Sequence, residues 1–278
     1  MSTVLDNVLE AQRDTQPEEY QPVNMSTYFE RKKSISIIFP AFNEQENIEK
    51  AVERCLESVQ DYFSELEIII VNDGSSDDTG YVIDRLAGEH PSVIPIHHDG
   101  NRGYGAALRS GISHASKELI FFTDSDLQFD LDDLQYLVRW IPVYDIVAGY
   151  RVHRADPFHR RFNAWGWNKL VRFSLGLEIR DIDCAFKLFH REVFSQIQLE
   201  SVGAMINTEI LCQATWNGMH IKELPVQHFP RQAGEQTGAN PKVILKALGE
   251  LFQMRGKLKK LSANRPVHSL TSSQHAAT

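Results

Sequence analysis

Cysteine is scarce in this chain: there are three among 278 residues, Cys55, Cys184 and Cys212, far apart and without metal-ligand spacing. They read as reduced thiols, with Cys55 and Cys212 as helix-packing residues. Long apolar runs are missing as well. No stretch approaches the ~20 apolar residues that span a bilayer, and residues 1–20, rich in acids and amides, lack the apolar core of a signal peptide. Any membrane contact is therefore expected to be peripheral. There is no excess of basic charge either. The 29 Lys and Arg against 37 Asp and Glu give a formal net charge of -8, so nothing draws the chain generally to nucleic acid, and no DNA or RNA motif supplies a local basic face. Two phosphate cradles are also absent: the Gly-x-Gly-x-x-Gly that follows the first strand of dinucleotide folds, and the Gly-Lys-Ser or Gly-Lys-Thr of a P-loop.

Against these absences stands Phe121-Phe122-Thr123-Asp124-Ser125-Asp126-Leu127-Gln128, where an apolar run ends in two carboxylates and an amide at alternate positions. Oxygen ligands at the end of a buried strand suit a hard divalent cation, Mg2+ or Mn2+, and so chemistry on a phosphate-bearing substrate.

Hydrophobic periodicity places that segment in a regular frame. Strands are expected over residues 35–39, 66–71, 93–96, 119–123 and 145–149, with helices over 44–62, 77–87, 104–115 and 130–140 between them. Short apolar strands alternating with helices imply a mostly parallel sheet covered on both faces. The second half is less regular. Residues 160–175 and 205–217 read as helical, 184–189 as extended, 221–226 as a strand and 241–260 as a last amphipathic helix, with a polar extension over 1–33 and a disordered tail over 262–278.

Ligands of parallel sheets gather beyond the C-terminal strand ends, where the chain's polar signatures fall. Pro40-Ala41-Phe42-Asn43-Glu44 ends the first strand and Asn72-Asp73-Gly74-Ser75-Ser76-Asp77 the second. Asp73 is a candidate acceptor for a nucleobase and Gly74 permits a close turn, whereas Asn43 and Asp77 are open to a helix-capping role. Asn101-Arg102-Gly103-Tyr104-Gly105 opens a helix whose N-terminus suits a diphosphate or ribose oxygen.

Taken in order, these segments resemble the GT-A catalytic domain of family 2 glycosyltransferases, and within it the dolichyl- or polyprenyl-phosphate mannose and glucose synthase group. The resemblance covers residues 34–235. It implies an α/β GT-A fold with a mostly parallel central sheet flanked by helices, a catalytic domain over 34–235 and a C-terminal amphipathic helix over 236–261. It places Pro40, Ala41, Asn43, Glu44, Asp73, Arg102, Gly103, Asp124, Ser125 and Arg151 around the donor, and Asp124, Asp126 and Gln128 on the cation that bridges the donor diphosphate. Arg160 and Arg161 look like the family's basic pair, and Asp181-Ile182-Asp183-Cys184-Ala185-Phe186-Lys187 like its acceptor-side loop, which assigns Arg160, Arg161 and Asp181 to acceptor or phosphate binding. Asn207-Thr208-Glu209 and Phe229-Pro230-Arg231-Gln232-Ala233-Gly234 resemble the later carboxylate and arginine motifs.

The implied reaction is inverting transfer of a hexose from a nucleotide sugar of UDP-glucose or GDP-mannose type, with Asp126 and Arg231 on the charge of the departing nucleoside diphosphate. The expected acceptor is a polyprenyl phosphate, whose second pKa of about 6 leaves it largely anionic at neutral pH without a protein base. One alternative is a soluble or glycan hydroxyl, for which Asp183 or Glu209, with Asp181 close behind, would take the proton. Another is a noncatalytic nucleotide-sugar-binding protein. The last helix carries an apolar stripe followed by Arg255, Lys257, Lys259 and Lys260, which suits peripheral membrane contact, a membrane-protein partner, a homodimer or core packing. The expected location is cytoplasmic, with the cytoplasmic membrane face as its membrane option.

Overall fold

The computed structural model describes residues 33–59, 62–152, 166, 169–231, 249–251 and 255–256. The expected extension ahead of residue 33, Arg160, Arg161, most of the last helix and the tail lie outside the described residues.

The strongest apolar runs form the centre of the molecule. Strands β1 (Ser34–Ala41) and β2 (Glu65–Asn72) pair in parallel, from Ser34 opposite Glu65 to Ala41 opposite Asn72. Strand β3 (Val93–His97) lies outside β2, and β4 (Leu119–Phe122) pairs in parallel with the other edge of β1. Strands β5 (Ile146–Arg151), β6 (Lys187–His190) and β7 (Ile221–Val226) complete a seven-stranded sheet in the order β3-β2-β1-β4-β6-β5-β7. The expected mostly parallel sheet is present, with one reversal: β6 runs antiparallel to both β4 and β5.

Strand side chains alternate between two faces, and here both faces are dry. Ile35, Ile37, Phe39 and Phe121 pack under helices α1 (Ile48–Val59) and α2 (Thr79–Glu89). Ile38, Ile120 and Phe122 pack on the opposite face under α3 (Tyr104–His114). The first of these layers also takes the short α4 (Leu134–Val138), and the second takes α5 (Ile206–Trp216). Full burial of each such Ile or Phe contributes about 1.5–3 kcal/mol. All three cysteines are buried free thiols, and burial pushes Cys184 and Cys212 up to about 12, as suits packing residues.

Three elements differ from the periodicity, each for a local reason. Helix α1 starts at Ile48 because Asn43 adopts φ 55 and the Glu44 N–H donates to Thr79 Oγ1 (2.8 Å), which ties the segment across to the β2 loop. The helix expected over 130–140 is a 3-10 turn, Leu131–Asp133, followed by five residues of α4. There the Asp130 carboxylate accepts from the Asp132 N–H (3.1 Å) and that of Asp133 from the Gln227 N–H (2.7 Å), bonds that compete with helical ones. The expected strand over 184–189 begins only at Lys187, whose amine draws the carbonyls of Ile182 and Cys184 around itself.

Helix α3 lies so close to β1 that a Cβ on Gly111 would overlap Ile38 Cγ2. Gly111→Ala is therefore expected to destabilise the fold by about 1–3 kcal/mol through overpacking, measured by urea unfolding. An unchanged midpoint would show that α3 is free to lift.

Candidate active site

Three loops leave the C-terminal ends of β1, β2 and β4 and are laced together by short polar bonds. The Asp73 N–H donates to the Ala41 carbonyl (2.8 Å), and Ser125 Oγ donates to the Pro40 carbonyl (3.0 Å). Asn43 Oδ1 accepts from the Ser76 N–H (2.9 Å), while its own N–H donates to Ser75 Oγ. Asp77 accepts from the Thr79 N–H and hydroxyl at 3.1 and 2.5 Å, so it fastens the start of α2.

Asp73, the expected partner of a nucleobase, is buried and bonded inward. Its Oδ1 accepts from the Arg102 N–H (2.9 Å) and His98 Nδ1 (2.7 Å), and its Oδ2 from the Gly103 N–H (2.8 Å). Because a carboxylate only accepts, His98 donates through Nδ1, and its Nε2 lies 2.8 Å from Ser110 Oγ. Asp73 thus shapes the 101–103 turn. Gly103 and Gly105 have a packing reason as well. Gly103 has φ 100 and no room for a Cβ beside the Val202 carbonyl, and a Cβ on Gly105 would sit 2.6 Å from the Gly203 carbonyl. The Val202 carbonyl accepts from the N–H groups of Gly105 (2.9 Å) and Ala106 (3.3 Å), so the helix N-terminus expected to meet a diphosphate is capped from within the chain.

The acidic turn follows directly from β4. Asp124 is half-buried and Asp126 is 6% exposed. Burial, then the neighbouring Asp126, pushes Asp124 up to about 7, against the pull of Arg151, Tyr104 and Lys187. Burial also raises Asp126, opposed by the Gln128 N–H and Arg231. Between the two bonded residues of this turn, Leu127 adopts φ 61, a left-handed conformation uncommon outside glycine and characteristic of constrained functional turns.

The segment after β7 closes over this turn. Gln128 Nε2 donates to the Phe229 carbonyl (3.0 Å), the Phe229 N–H donates to the Gln128 carbonyl (2.8 Å), and Phe129 bridges His228. Arg231 is thereby delivered between two acids, bonding Glu44 Oε1 through Nη2 and lying 3.5 Å from Asp126 Oδ2 through Nη1. An open cleft of about 430 Å3 adjoins the turn, lined in part by Asp124, Leu127, Asp130, Phe229 and, on α1, Lys50 and Arg54.

The carboxylates of the second half have other partners than those expected. Asp181 binds Arg151 bidentately at 2.7 and 2.8 Å, with both side chains largely buried. Burial disfavours the Arg151 charge, but this pairing outweighs it and holds the guanidinium above its ordinary pKa. Glu209 accepts from the N–H groups of Glu200 (3.0 Å) and Ser201 (2.8 Å), so it secures that loop. Asp183 is half-buried near Arg151 and Lys187. Lys187, named from sequence only as the end of the acceptor-side loop, is fully buried, lowered in pKa by burial, and also donates to Asn207 Oδ1 at 3.0 Å. Its signal in the sequence is a cation inside the apolar run Phe186-Lys187-Leu188-Phe189. Tyr104, whose buried hydroxyl interacts with Asp124 and Asn207, and His98 carry no comparable signal.

Among the described residues no group of three or more His, Cys, Asp or Glu is arranged to hold a metal ion. Asp124 and Asp126 still fit a hard cation, because such ions bind one or two carboxylates and take their other ligands from water and substrate phosphates. Their raised pKa values mark negative charge that the protein alone compensates incompletely. Asp124 titrates at its ordinary 3.8 when unfolded and at about 7 when folded, so folding takes up a proton between these values and stability falls as pH rises through that window. In EDTA, Asp124→Asn is expected to be at least as stable as the wild type at pH 8, with the difference shrinking toward pH 4. A variant markedly less stable than wild type at pH 8 in urea unfolding would contradict the burial of this charge.

Comparison with known proteins agrees with this geometry. The family model described as "Glycosyl transferase family 2" matches residues 36–198. Glycosyltransferase AglD of Haloferax volcanii is 32% identical over 207 residues, covering 71% of this chain and 33% of that protein, so the chain spans about a third of its length. The glucosyl-3-phosphoglycerate synthase of Mycobacterium tuberculosis in complex with phosphoglyceric acid superposes with a TM-score of 0.63 at 17% identity, over 87% of this chain and 86% of that one. The same enzyme with Mn2+, UDP and glucosyl-3-phosphoglycerate gives 0.60 at 17% identity, over 91% and 88%. The GT-A fold and a glycosyltransferase are borne out. The polyprenyl-phosphate synthase group, with its polyprenyl phosphate acceptor and membrane partner, is corrected: the solved relatives carry a small water-soluble phosphate ester in place of a lipid phosphate, and no described helix is long and apolar enough to cross a membrane. The chain belongs to glycosyl transferase family 2.

Proposed function

We propose that this chain transfers a hexose from a UDP-sugar to a hydroxyl of a small soluble acceptor, with residues 34–235 as the catalytic domain. The observation that carries the reading is the incompletely compensated Asp124 and Asp126 pair at the C-terminal sheet edge, facing Arg231. The UDP, Mn2+ and Mg2+ complexes of the structurally similar synthase support it. A divalent cation held by Asp124 and Asp126 would neutralise charge growing on the departing diphosphate. Arg231, beyond β7 at the same sheet edge, adds a fixed positive group, and its low exposure strengthens its field. Asn43, Ser125 and Pro40 keep the donor loops in register through the bonds described above.

A hydroxyl acceptor must lose its proton as the new bond forms, so a base within hydrogen-bond reach is required. Asp181 is clamped by Arg151 and Glu209 by two backbone N–H groups. We assign the base role to Asp183 on its position: it is half-buried in the acceptor-side loop beside Arg151 and Lys187.

Asp126→Ala is expected to lower transfer by at least about 100-fold while its melting temperature stays within a few degrees of wild type. The assay supplies UDP-glucose or GDP-mannose, Mn2+ and a panel of soluble acceptors including 3-phosphoglycerate, with both products identified by mass spectrometry. Undiminished metal-dependent turnover by the variant would refute the assignment, and exclusive use of the GDP-sugar would refute the donor.

A further inference from the structure

Glu44 was expected to touch the donor, but its side chain is buried and turns inward to an arginine 187 residues away. We propose that Glu44 is a positioning residue: it aims the Arg231 guanidinium at the diphosphate site and keeps it from collapsing onto Asp126. The proposal rests on the reading of Arg231 given above.

Glu44 is held from several directions. Its N–H donates to Thr79 Oγ1, and its carbonyl accepts from the N–H groups of Asn47 (3.0 Å) and Ile48 (2.9 Å), where α1 begins. One carboxylate oxygen accepts from Asn47 Nδ2 at 2.6 Å, which orients the other toward Arg231. Arg231 needs such an anchor. Its backbone is fixed by the pairing of Phe229 with Gln128, but the side chain has several rotatable bonds and loses up to about 2 kcal/mol of rotamer freedom on being held.

The two acids do not share the guanidinium equally. Asp126 Oδ2 lies at 3.5 Å, the outer limit of a hydrogen bond, whereas Glu44 makes the close contact. Side-chain exposures of 9% for Glu44 and 15% for Arg231 make this charge-assisted pair stronger than a surface one. Were Glu44 neutral, Asp126 would be the acid remaining next to the guanidinium, and Arg231 would compete for the carboxylate assigned to the cation.

The test uses Glu44→Gln, which keeps the shape and removes the charge, alongside Arg231→Ala and the double variant. Glu44→Gln is expected to lower kcat by about 10- to 100-fold, the scale of a misplaced catalytic group, with the Kd for UDP in Mn2+ changed less than threefold by calorimetry. The double variant should be no slower than Arg231→Ala alone, and Glu44→Asp should recover part of the loss. Effects that multiply in the double variant would overturn the proposal. So would a UDP affinity more than tenfold weaker with kcat kept, which would make Glu44 a donor ligand. A parallel double-mutant cycle on urea unfolding reads the pair without any turnover. Zero coupling there defeats the inference, whereas coupling in a protein that neither binds UDP nor transfers sugar defeats the proposed function alone.

Discussion

Two carboxylates one residue apart, at the dry end of a central strand, set the electrostatic problem that the surrounding structure addresses. Neither Asp124 nor Asp126 escapes the penalty of burial; Asp126 adds repulsion to Asp124, and Glu44 adds it to Asp126. The cations nearby come from distant parts of the chain: Arg151 at the end of β5, Lys187 at the start of β6, and Arg231 beyond β7. The one antiparallel strand matters here, because the reversal at β6 brings Lys187 opposite Phe122, two residues before Asp124.

The other acids of this edge bind neighbouring backbone N–H groups or arginine side chains. Asp73 gathers the 101–103 turn, Glu209 the 200–201 turn, and Asp181 the residue at the end of β5. A carboxylate that accepts two backbone N–H bonds fixes loop geometry more firmly than a neutral side chain would. The site is thus a rigid frame of bonded acids around a pair whose charge calls for an external ion.

Much of this was legible in the sequence. The runs at 35–39, 66–71 and 119–123 are apolar on both faces, and only central strands of a two-sided sheet need that. The acidic turn stood out because it interrupts such a run. Lys187 gave a weaker signal, since one cation in an apolar strand does not say what it binds. The bonds of Asp73 and Glu209 were hidden for a physical reason: sequence shows that an acid lies near a site, but which N–H groups it accepts from depends on loops 30 residues or eight residues away. The reversal of β6 was hidden because a hydrophobic pattern marks a strand without giving its direction, and the long connection over 152–186 does not fix it either. The acceptor was the least legible feature, because the motifs that bind a nucleotide diphosphate are shared by enzymes whose second substrates differ.

The capping of α3 by Val202 has a consequence for how the two halves of the chain fit together. One carbonyl from the C-terminal half plugs the helix that follows the 101–103 turn, and two glycines leave no slack at the seam. The same turn is gripped by Asp73, and the same C-terminal loop by Glu209. The two loops therefore share one tight seam, so a side chain at Gly103 or Gly105 would displace both the turn that Asp73 holds and the loop that Glu209 holds.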